Sequence, residues 1–277
     1  MRKAQTGVPG ASESTVVAAG DGWRVLDIVC TSGPRDRPFE EQYRSASISL
    51  VLSGNFVFRG CGVSLMSPGA LLLGNPGHGY ECSHQYGEGD RCLSFQFDPA
   101  LFERLAHDAG ARRPAFEHHR LPPLRALAPI TARAEMALGR EDSFEEIALD
   151  LAATAVRAGS DVRGDAADAP AHDRARVAHV LRQLESTATE PYTLADLARA
   201  AGLSRYHFLR TFKCVTGVTP HQWMLRARLR DAARRLVTTR QPITEIALDV
   251  GFEDLSNFIR SFRAEFGASP SRYRSAA

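Results

Sequence analysis

The chain has 277 residues, 44% of them hydrophobic, which is enough apolar material for two ordinary globular domains. Its 34 Lys and Arg residues against 32 Asp and Glu residues give a net charge of only +2, so overall charge does not indicate a class of partner. No run of about 18 apolar residues occurs, which excludes a membrane-spanning helix from the expected structure. Five cysteines, an odd number, favour a reducing compartment over a disulfide framework.

The N-terminal end contains little that could build a core. Arg2 and Lys3 are followed by Gly, Ser, Pro and other small residues rather than by an apolar stretch, so a secretory signal is not expected. We predict that residues 1–20 form a disordered tail, because such a composition cannot bury enough apolar surface to order the chain.

Residues 22–98 have the pattern of short strands separated by tight turns. Trp23–Val29 and Ser45–Leu52 alternate between apolar and polar positions, as half-buried strands do. The turn at Ser53–Asn55 leads into another apolar run, which is a hairpin signature. Further strands are expected at 63–66, 70–73, 80–85 and 91–97. Short strands that recur about every ten residues predict a sandwich or a barrel.

After residue 98 the apolar period changes to that of helices. Asp98 precedes Pro99 as an N-cap, and two apolar stripes follow at helical spacing. The first stripe is Leu124, Leu127, Ile130, Ala134 and Leu138, and the second is Phe144, Ile147, Ala148, Leu151 and Ala155. Residues 159–171 are rich in Gly, Asp and Ala and are predicted to be a linker. The predicted domains are therefore 21–158 and 172–277.

Charge is distributed unevenly between these two parts. Residues 171–277 contain 17 Lys and Arg against 10 Asp and Glu, whereas residues 1–170 contain 17 against 22. The C-terminal part has a charge of +7 and the N-terminal part −5, which together give the +2 of the whole chain. This asymmetry indicates that only the C-terminal part binds a polyanion.

One motif occurs twice within the C-terminal part. The first copy runs from Leu197 to Lys213 and the second from Ile246 to Arg263, with one additional residue in the second turn. Such self-similarity indicates a duplicated unit. Each copy reads as a helix, a turn that contains glycine, and a second helix, which is the helix-turn-helix arrangement.

The second helix of each copy is predicted to begin after an N-cap, Ser204 in the first copy and Asp254 in the second. Phenylalanines four positions apart anchor these helices to the core. They are Phe208 and Phe212, and Phe258 and Phe262. The outer face is expected to contact DNA, because a helix of this kind fits a major groove. Its residues are Tyr206, His207, Leu209, Arg210 and Lys213 in the first copy, and Ser256, Asn257, Ile259, Arg260 and Arg263 in the second.

The segment Ile246–Arg274 closely resembles the signature of the AraC/XylS family of transcriptional regulators. The resemblance covers about the last hundred residues. It implies seven helices, with two helix-turn-helix units joined by a rigid central helix at roughly 220–237. It also implies specific binding to double-stranded promoter DNA. We expect RNA polymerase as a further partner and an activator as the type of regulator, with a repressor as the alternative.

Residues 51–73 resemble, more loosely, the small cupin-type barrel that precedes the DNA-binding half in many AraC-type regulators. This resemblance implies a barrel that binds a small-molecule effector in an internal pocket. It also implies a homodimer that pairs through the helices after the barrel. The alternative is that the apolar stripes of these helices only cover the barrel.

Cys82, His84 and Cys92 are candidates for a metal or thiol-sensor site. Cys82 and His84 are two positions apart on a predicted strand and so share a face. A hairpin over the loop Tyr86–Asp90 would bring Cys92 within reach, and thiolate together with imidazole suits zinc. The alternative is that both cysteines are buried structural residues, since Cys packs as a small hydrophobe.

Residues that cupin metalloenzymes use do not occur at the expected places. Such enzymes resemble one another in an early His-x-His pair followed by Glu and a later His, yet no histidine precedes His78. There is also no nucleophile elbow, phosphate-binding loop or dinucleotide fingerprint. We therefore predict no catalytic residue, no metal and no cofactor.

These patterns predict an N-terminal all-β cupin-like barrel with trailing helices, followed by an all-α double helix-turn-helix domain. We expect a cytoplasmic transcription regulator, associated with the bacterial nucleoid when bound. Its two units would read adjacent major grooves under the control of an effector in the barrel. The alternatives are a cupin-type metalloenzyme fused to a DNA-binding module and a metal or thiol redox sensor.

Overall fold

The computed structural model describes residues 10–138, 144–161, 169–186 and 192–275. Within these ranges the N-terminal half is rich in β-strands and the C-terminal half contains only helices as regular structure. No helix in the described ranges is both long enough and apolar enough to cross a membrane. The predicted order of a β-rich part followed by a helical part is confirmed.

The described residues form two antiparallel sheets, and the larger one has six strands. They are β1 (Ser12–Gly20), β2 (Trp23–Cys30), β4 (Ala46–Gly54), β7 (Leu71–Gly74), β9 (Asp90–Phe97) and β10 (Arg120–Leu121). Their order across the sheet is β1-β2-β9-β4-β7-β10. Strand β9 pairs with both β2 and β4, and the register places Cys30, Asp90 and Gly54 in one row. The end of β2 therefore lies beside the start of β9.

The smaller sheet consists of β3 (Phe39–Gln42), β5 (Phe56–Arg59), β6 (Val63–Met66) and β8 (Gly79–Ser83). Its order is β3-β8-β5-β6. The two sheets share a buried apolar cluster that includes Phe56 and Met66 from the smaller sheet and Val51 and Cys92 from the larger. The predicted strands are thus arranged as two packed sheets, and among the described residues no strand of one sheet pairs with the other.

The N-terminal tail is shorter than predicted. Ser12–Gly20, which we expected to be disordered, form strand β1 and pair with β2. Strand β1 lies at the edge of the sheet with mostly exposed side chains, so its sequence lacks a strong apolar pattern. Backbone hydrogen bonds to β2 supply the order that the composition does not reveal. Residues 1–9 of the predicted tail lie outside the described residues.

Three α-helices follow β9 in the described part of the N-terminal half. They are α1 (Pro99–Asp108), α2 (Ala128–Ala137) and α3 (Phe144–Asp161). Asp98 caps α1, because its side chain accepts a hydrogen bond from the Leu101 backbone N–H at 2.7 Å. Both predicted apolar stripes are buried in the core of the larger sheet, through residues such as Ile130 and Leu151. Pairing of two subunits through these helices would therefore have to use their other faces.

The described part of the C-terminal half contains seven helices, the number that the family resemblance implies. They are α4 (Ala171–Ser186), α5 (Leu194–Ala200), α6 (Arg205–Thr216), α7 (Pro220–Thr238), α8 (Ile243–Asp249), α9 (Leu255–Phe266) and α10 (Pro270–Ser275). Helix α7 matches the predicted central helix and buries Trp223 and Leu236. The predicted linker at 159–171 overlaps α3, which runs to Asp161, and its residues 162–168 lie outside the described residues.

The two halves pack directly against each other. Val57 and Leu65 of the smaller sheet belong to the same buried cluster as Phe208 of α6. Ala132 of α2 lies in another buried cluster together with Phe258 of α9. Each half therefore completes part of the other's core.

Two arginines add polar contacts to this interface. Arg120, which is only 7% exposed, donates to the Val215 carbonyl at 2.6 Å. Arg226 of α7 donates to the Pro123 carbonyl at 2.5 Å. Because charge-assisted hydrogen bonds at buried positions are stronger than neutral ones, these contacts orient the helical half on the β-rich half.

Candidate nucleic-acid interface

The first helix pair consists of α5, a turn and α6. Thr193 caps α5 and forms a capping box with Asp196. The Asp196 backbone N–H donates to the Thr193 hydroxyl at 3.2 Å, and the Asp196 carboxylate accepts from the Thr193 backbone N–H at 3.1 Å. Gly202 in the turn has a φ of 65°, which favours glycine. Ser204 then caps α6 by accepting a hydrogen bond from the His207 backbone N–H. Local signals thus determine where each helix begins.

The second helix pair consists of α8, a turn and α9. Gly251 in this turn has a φ of 89°, and its carbonyl accepts a hydrogen bond from Arg228 of α7 at 2.9 Å. Asp254 caps α9, with its carboxylate accepting from the backbone N–H groups of Ser256 at 3.0 Å and Asn257 at 2.9 Å. Both predicted N-caps are therefore confirmed.

Matching phenylalanines anchor the second helix of each pair. Phe208 and Phe212 of α6, and Phe258 and Phe262 of α9, are fully buried. The two ring centroids lie 5.6 Å apart in α6 and 5.6 Å apart in α9. The two helices therefore expose equivalent outer faces.

The ten residues predicted to contact DNA lie on these outer faces. They are Tyr206, His207, Leu209, Arg210 and Lys213 of α6, and Ser256, Asn257, Ile259, Arg260 and Arg263 of α9. Leu209 is half-buried and the other nine are exposed. Tyr206 is 77% exposed, so its ring is accessible to a partner.

The cations of the two outer faces have no carboxylate partner among the described residues. Arg210, Lys213 and Arg263 form no ion pair there, and Arg260 hydrogen-bonds the Asn257 amide oxygen at 3.4 Å. The arginines of the central helix α7 differ, since several of them are paired. These pairs are Arg226–Glu265, Arg234–Asp231, Arg235–Asp231 and Arg235–Asp249. Cations that the chain does not neutralise are available to phosphates and base edges.

A groove of about 840 Å³ lies between the two helix pairs. Leu209 of α6 and Asn257 and Arg260 of α9 line this groove, so three of the predicted residues share one concave surface. The other predicted residues of α6 lie outside it. His221 and Arg228 of α7 also line the groove. They could not be found from the repeated motif, because α7 lies between the two copies.

The predicted cluster of Cys82, His84 and Cys92 does not form as expected. Cys82 lies in β8 of the smaller sheet and Cys92 in β9 of the larger sheet, so the expected hairpin is wrong. His84 instead contacts Asp90, whose Oδ1 lies 2.5 Å from Nε2, and Cys30, whose Sγ lies 4.0 Å from Nδ1. No local pattern identifies this group, because Cys30 reaches Asp90 only through the pairing of β2 with β9.

Burial and hydrogen bonding determine the protonation of these residues. Burial raises the pKa of the Cys82 and Cys92 thiols well above the ordinary value, and the charge of Asp90 raises it further. Burial alone would lower the pKa of His84, but its hydrogen bonds to Asp90 and Cys30 raise it to about 9. His84 therefore forms a buried ion pair with Asp90 near neutral pH.

Relatives with known roles exist for the helical half. A family model described as a helix-turn-helix domain matches residues 197–276. The transcriptional activator NphR of Rhodococcus sp is 37% identical over 141 residues, which are 51% of this chain and 41% of that protein. The HTH-type transcriptional activator AarP of Providencia stuartii is 32% identical over 98 residues, which are 35% of this chain and 73% of that protein.

A solved structure of a probable AraC family transcriptional regulator from Rhodopseudomonas palustris is also similar. It is 30% identical, covers 37% of this chain and 96% of its own chain, and has a TM-score of 0.35. The chain spans about two fifths of the length of the first curated relatives it matches. The family model covers the residues from the middle of α5 to the end of α10, and the match to AarP covers most of that activator. The chain therefore belongs to the AraC family of helix-turn-helix transcriptional regulators.

Proposed function

We propose that the chain regulates transcription by binding specific promoter DNA through the outer faces of α6 and α9. The observation that supports this function best is the repeated outer face, whose cations lack carboxylate partners among the described residues. The charge of +7 on residues 171–277 adds a general attraction to phosphates. Arg210 and Arg260 occupy equivalent positions and suit bidentate contact with guanine, whereas Asn257 suits adenine.

Helix α7 sets the separation of the two faces in this proposal. Its residue Trp223 lies in the core of the first helix pair, and its residue Leu229 lies in the core of the second. Arg228 additionally connects α7 to the turn of the second pair. A rigid connection of this kind allows α6 and α9 to enter successive major grooves on one face of DNA, about 34 Å apart.

Selection of binding sites from random duplex DNA with the full chain tests this function. We expect the selected site to contain two elements one helical turn apart, because each outer face reads one groove. In gel-shift measurements, the logarithm of affinity should fall linearly with the logarithm of salt concentration. Binding that is independent of both sequence and salt would contradict the proposal.

We propose in addition that the N-terminal half is a cupin-like effector domain. Its limits are close to the predicted 21–158, but β1 extends the domain to Ser12 and α3 extends it to Asp161. A cavity of about 730 Å³ lies between the two sheets and is lined by residues of both, including Phe56 and Ser94. This size suits a small molecule. The hydroxyl groups of Tyr43 and Ser47 are buried at this cavity without a hydrogen-bond partner among the described residues, and a bound molecule would satisfy them.

Activation, with RNA polymerase as a partner, is the mode of regulation that we propose. NphR and AarP are both named as activators, which favours this mode. We also propose a homodimer that pairs through the exposed face of α3, since the face of α2 that the larger sheet leaves uncovered packs against α9. The alternative of a cupin-type metalloenzyme is set aside, because the relatives are transcriptional regulators.

Effector binding can be tested by a thermal-shift screen of small molecules. A compound that raises the melting temperature of the full chain should do so less in a Tyr43→Phe/Ser47→Ala variant, because the variant lacks the two unsatisfied hydroxyl groups. Sedimentation analysis of the same samples reports the oligomeric state. An equal rise in melting temperature in both proteins would show that the compound does not bind at Tyr43 and Ser47.

A further inference from the structure

Cys30, His84 and Asp90 form a chain of contacts that the proposed DNA-binding function does not use. Cys30 ends β2, and strand pairing places it opposite Asp90 of β9. His84 lies between them, with Nδ1 4.0 Å from the Cys30 Sγ and Nε2 2.5 Å from the Asp90 Oδ1. All three residues are buried. A thiol, an imidazole and a carboxyl group are therefore aligned in that order.

The carboxyl group orients the imidazole towards the thiol. An ionised carboxylate only accepts hydrogen bonds, so the Nε2 of His84 holds a proton and Nδ1 faces the sulfur. Asp90 is positioned in turn by Cys92, whose thiol donates to Oδ2 at 3.2 Å. A nucleophile, a base and a group that orients the base form the arrangement that activates cysteine for covalent chemistry.

A small molecule can approach the sulfur from the cavity between the two sheets. Cys30 and Asp90 line this cavity, together with apolar residues such as Ile28 and Phe56. His84 does not line it, and its Nδ1 lies 4.0 Å from the Cys30 sulfur. A molecule in the cavity would thus meet the sulfur, while the imidazole remains in the interior.

Cys82 and Cys92 line the same cavity but are chemically different. Burial raises the pKa of both thiols, with a further contribution from the charge of Asp90. Thiols that remain protonated are poor nucleophiles. Cys30 differs from both because its sulfur faces the imidazole of His84.

We propose that Cys30 is a covalent modification site for an α,β-unsaturated carbonyl compound that enters the cavity. This proposal rests on the proposed use of the cavity as the effector site. In the reacting form the proton of the Cys30 thiol lies on His84 Nδ1, so that a thiolate faces the imidazolium that Asp90 stabilises. The sulfur then forms a bond to the β-carbon of the compound. The π-electron pair of the C=C bond moves towards the carbonyl group, and the resulting enolate takes a proton at its α-carbon from the His84 imidazolium. The product is a saturated thioether, and no oxidant, reductant or leaving group takes part.

The loop after His84 connects this site to the helical half. The hydroxyl group of Tyr86 donates to the Ala171 carbonyl, at the start of α4, at 3.0 Å. A Cβ atom at Gly87 would lie 3.4 Å from the Arg182 side chain of the same helix. A group added at Cys30 displaces His84 and this loop, and α4 transmits the change because it belongs to the core of the first helix pair.

The test is the reaction of the full chain with N-ethylmaleimide, followed by mass-spectrometric mapping of each cysteine over time. We expect Cys30 to react faster than Cys61, although Cys30 is buried and Cys61 is exposed. His84→Asn should slow the reaction of Cys30 roughly 100-fold, because the base is lost. Cys82→Ser is the matched control, since it changes another thiol of the same cavity, and the rate at Cys30 should stay within about threefold.

Several outcomes would overturn the proposal. Labelling of Cys61 with Cys30 left unreacted is one, and an unchanged rate at Cys30 in His84→Asn is another. If His84→Asn does not fold, the ratio of Cys30 to Cys61 labelling in the unaltered chain decides. Stoichiometric zinc that protects Cys30 would instead identify a metal site.

DNA binding is measured in parallel on chain treated with N-ethylmaleimide and on chain treated with the saturated N-ethylsuccinimide. A change in affinity with the first compound alone, which is absent in Cys30→Ser, supports signalling through Cys30, because the reagent also reaches the exposed Cys61. Equal affinities after complete modification of Cys30 would contradict it. Failure of the untreated chain to bind DNA counts against the proposed function and leaves the reactivity of Cys30 as a separate result.

Discussion

The two helix pairs share one local design but are attached to different parts of the molecule. Helix α6 of the first pair packs with the smaller sheet, and Arg120 donates to the Val215 carbonyl near the end of this helix. Helix α9 of the second pair packs with α2, and Glu265 in α9 pairs with Arg226 of α7 at 3.2 Å. Their N-caps, turn glycines and buried phenylalanines nevertheless match.

This comparison separates what forms a helix pair from what controls it. The local design is sufficient to present an outer face, since it recurs in two different surroundings. The attachments give each pair its own route of coupling to the N-terminal half, through the smaller sheet for the first pair and through α2 for the second. An effector between the sheets can therefore act on the two pairs unequally.

Replacement of one anchoring phenylalanine in each helix pair should cause the largest loss of stability. It tests whether the two pairs share one local design. We expect Phe208→Ala and Phe258→Ala each to lower the free energy of unfolding by about 3–5 kcal/mol, because both rings are fully buried. Urea denaturation measures both values. Ile259→Ala, on the exposed face of α9, is the control and should change stability by less than about 0.5 kcal/mol. A loss near zero at either phenylalanine contradicts the equivalence of the pairs.

Two equivalent glycines test how the contacts of the first helix pair with the N-terminal half differ from those of the second. Gly217 and Gly267 end α6 and α9 with φ angles of 81° and 75°. A Cβ atom at Gly217 would lie 2.6 Å from the Cβ of Pro122. A Cβ atom at Gly267 would have no non-local neighbour among the described residues within 4 Å. We expect Gly217→Ala to cost roughly 2–4 kcal/mol and Gly267→Ala about 1–2 kcal/mol in urea denaturation. Equal costs would mean that the first pair does not contact the N-terminal half in solution.

DNA readout should be divided between the two pairs. Arg210→Ala and Arg260→Ala should each weaken binding to the selected site by about 1–3 kcal/mol and relax preference in separate elements of that site. Fluorescence anisotropy with one element altered at a time measures this. Arg104→Ala, which removes an exposed arginine from α1, should leave affinity unchanged. Identical losses on every sequence would show that both arginines contact only phosphates.

The stability of the chain should depend on pH through His84, a residue of the β-rich half. Burial opposes protonation of His84, but the hydrogen bonds to Asp90 and Cys30 raise its pKa from 6.5 to about 9. Its contribution to stability is therefore complete below about pH 6.5 and is lost as the pH rises through 9. Urea denaturation of the full chain and of His84→Asn across this range measures the effect. A decrease of the same size in both proteins would assign it to other groups.

Much of the helical half could be predicted because its signals are local. An N-cap acts on N–H groups within three residues, a turn glycine on its own backbone, and a pair of phenylalanines on one helical face. Ser204 and Asp254 therefore cap the helices at which the sequence placed them. His221 and Arg228 were missed in the groove, since only the packing of α7 between the pairs brings them there.

The sequence by itself determined most of the strand segments, the helix pairs and the face that each second helix exposes, because hydrophobic period and capping depend on neighbours along the chain. Tertiary structure alone decided which strands pair and how the two halves meet. It placed Cys82 and Cys92 in opposite sheets, ordered β1 as an edge strand and brought His84 to Cys30. Such contacts join residues far apart in the chain. Their selection depends on the register and packing of the whole sandwich, which no short pattern encodes.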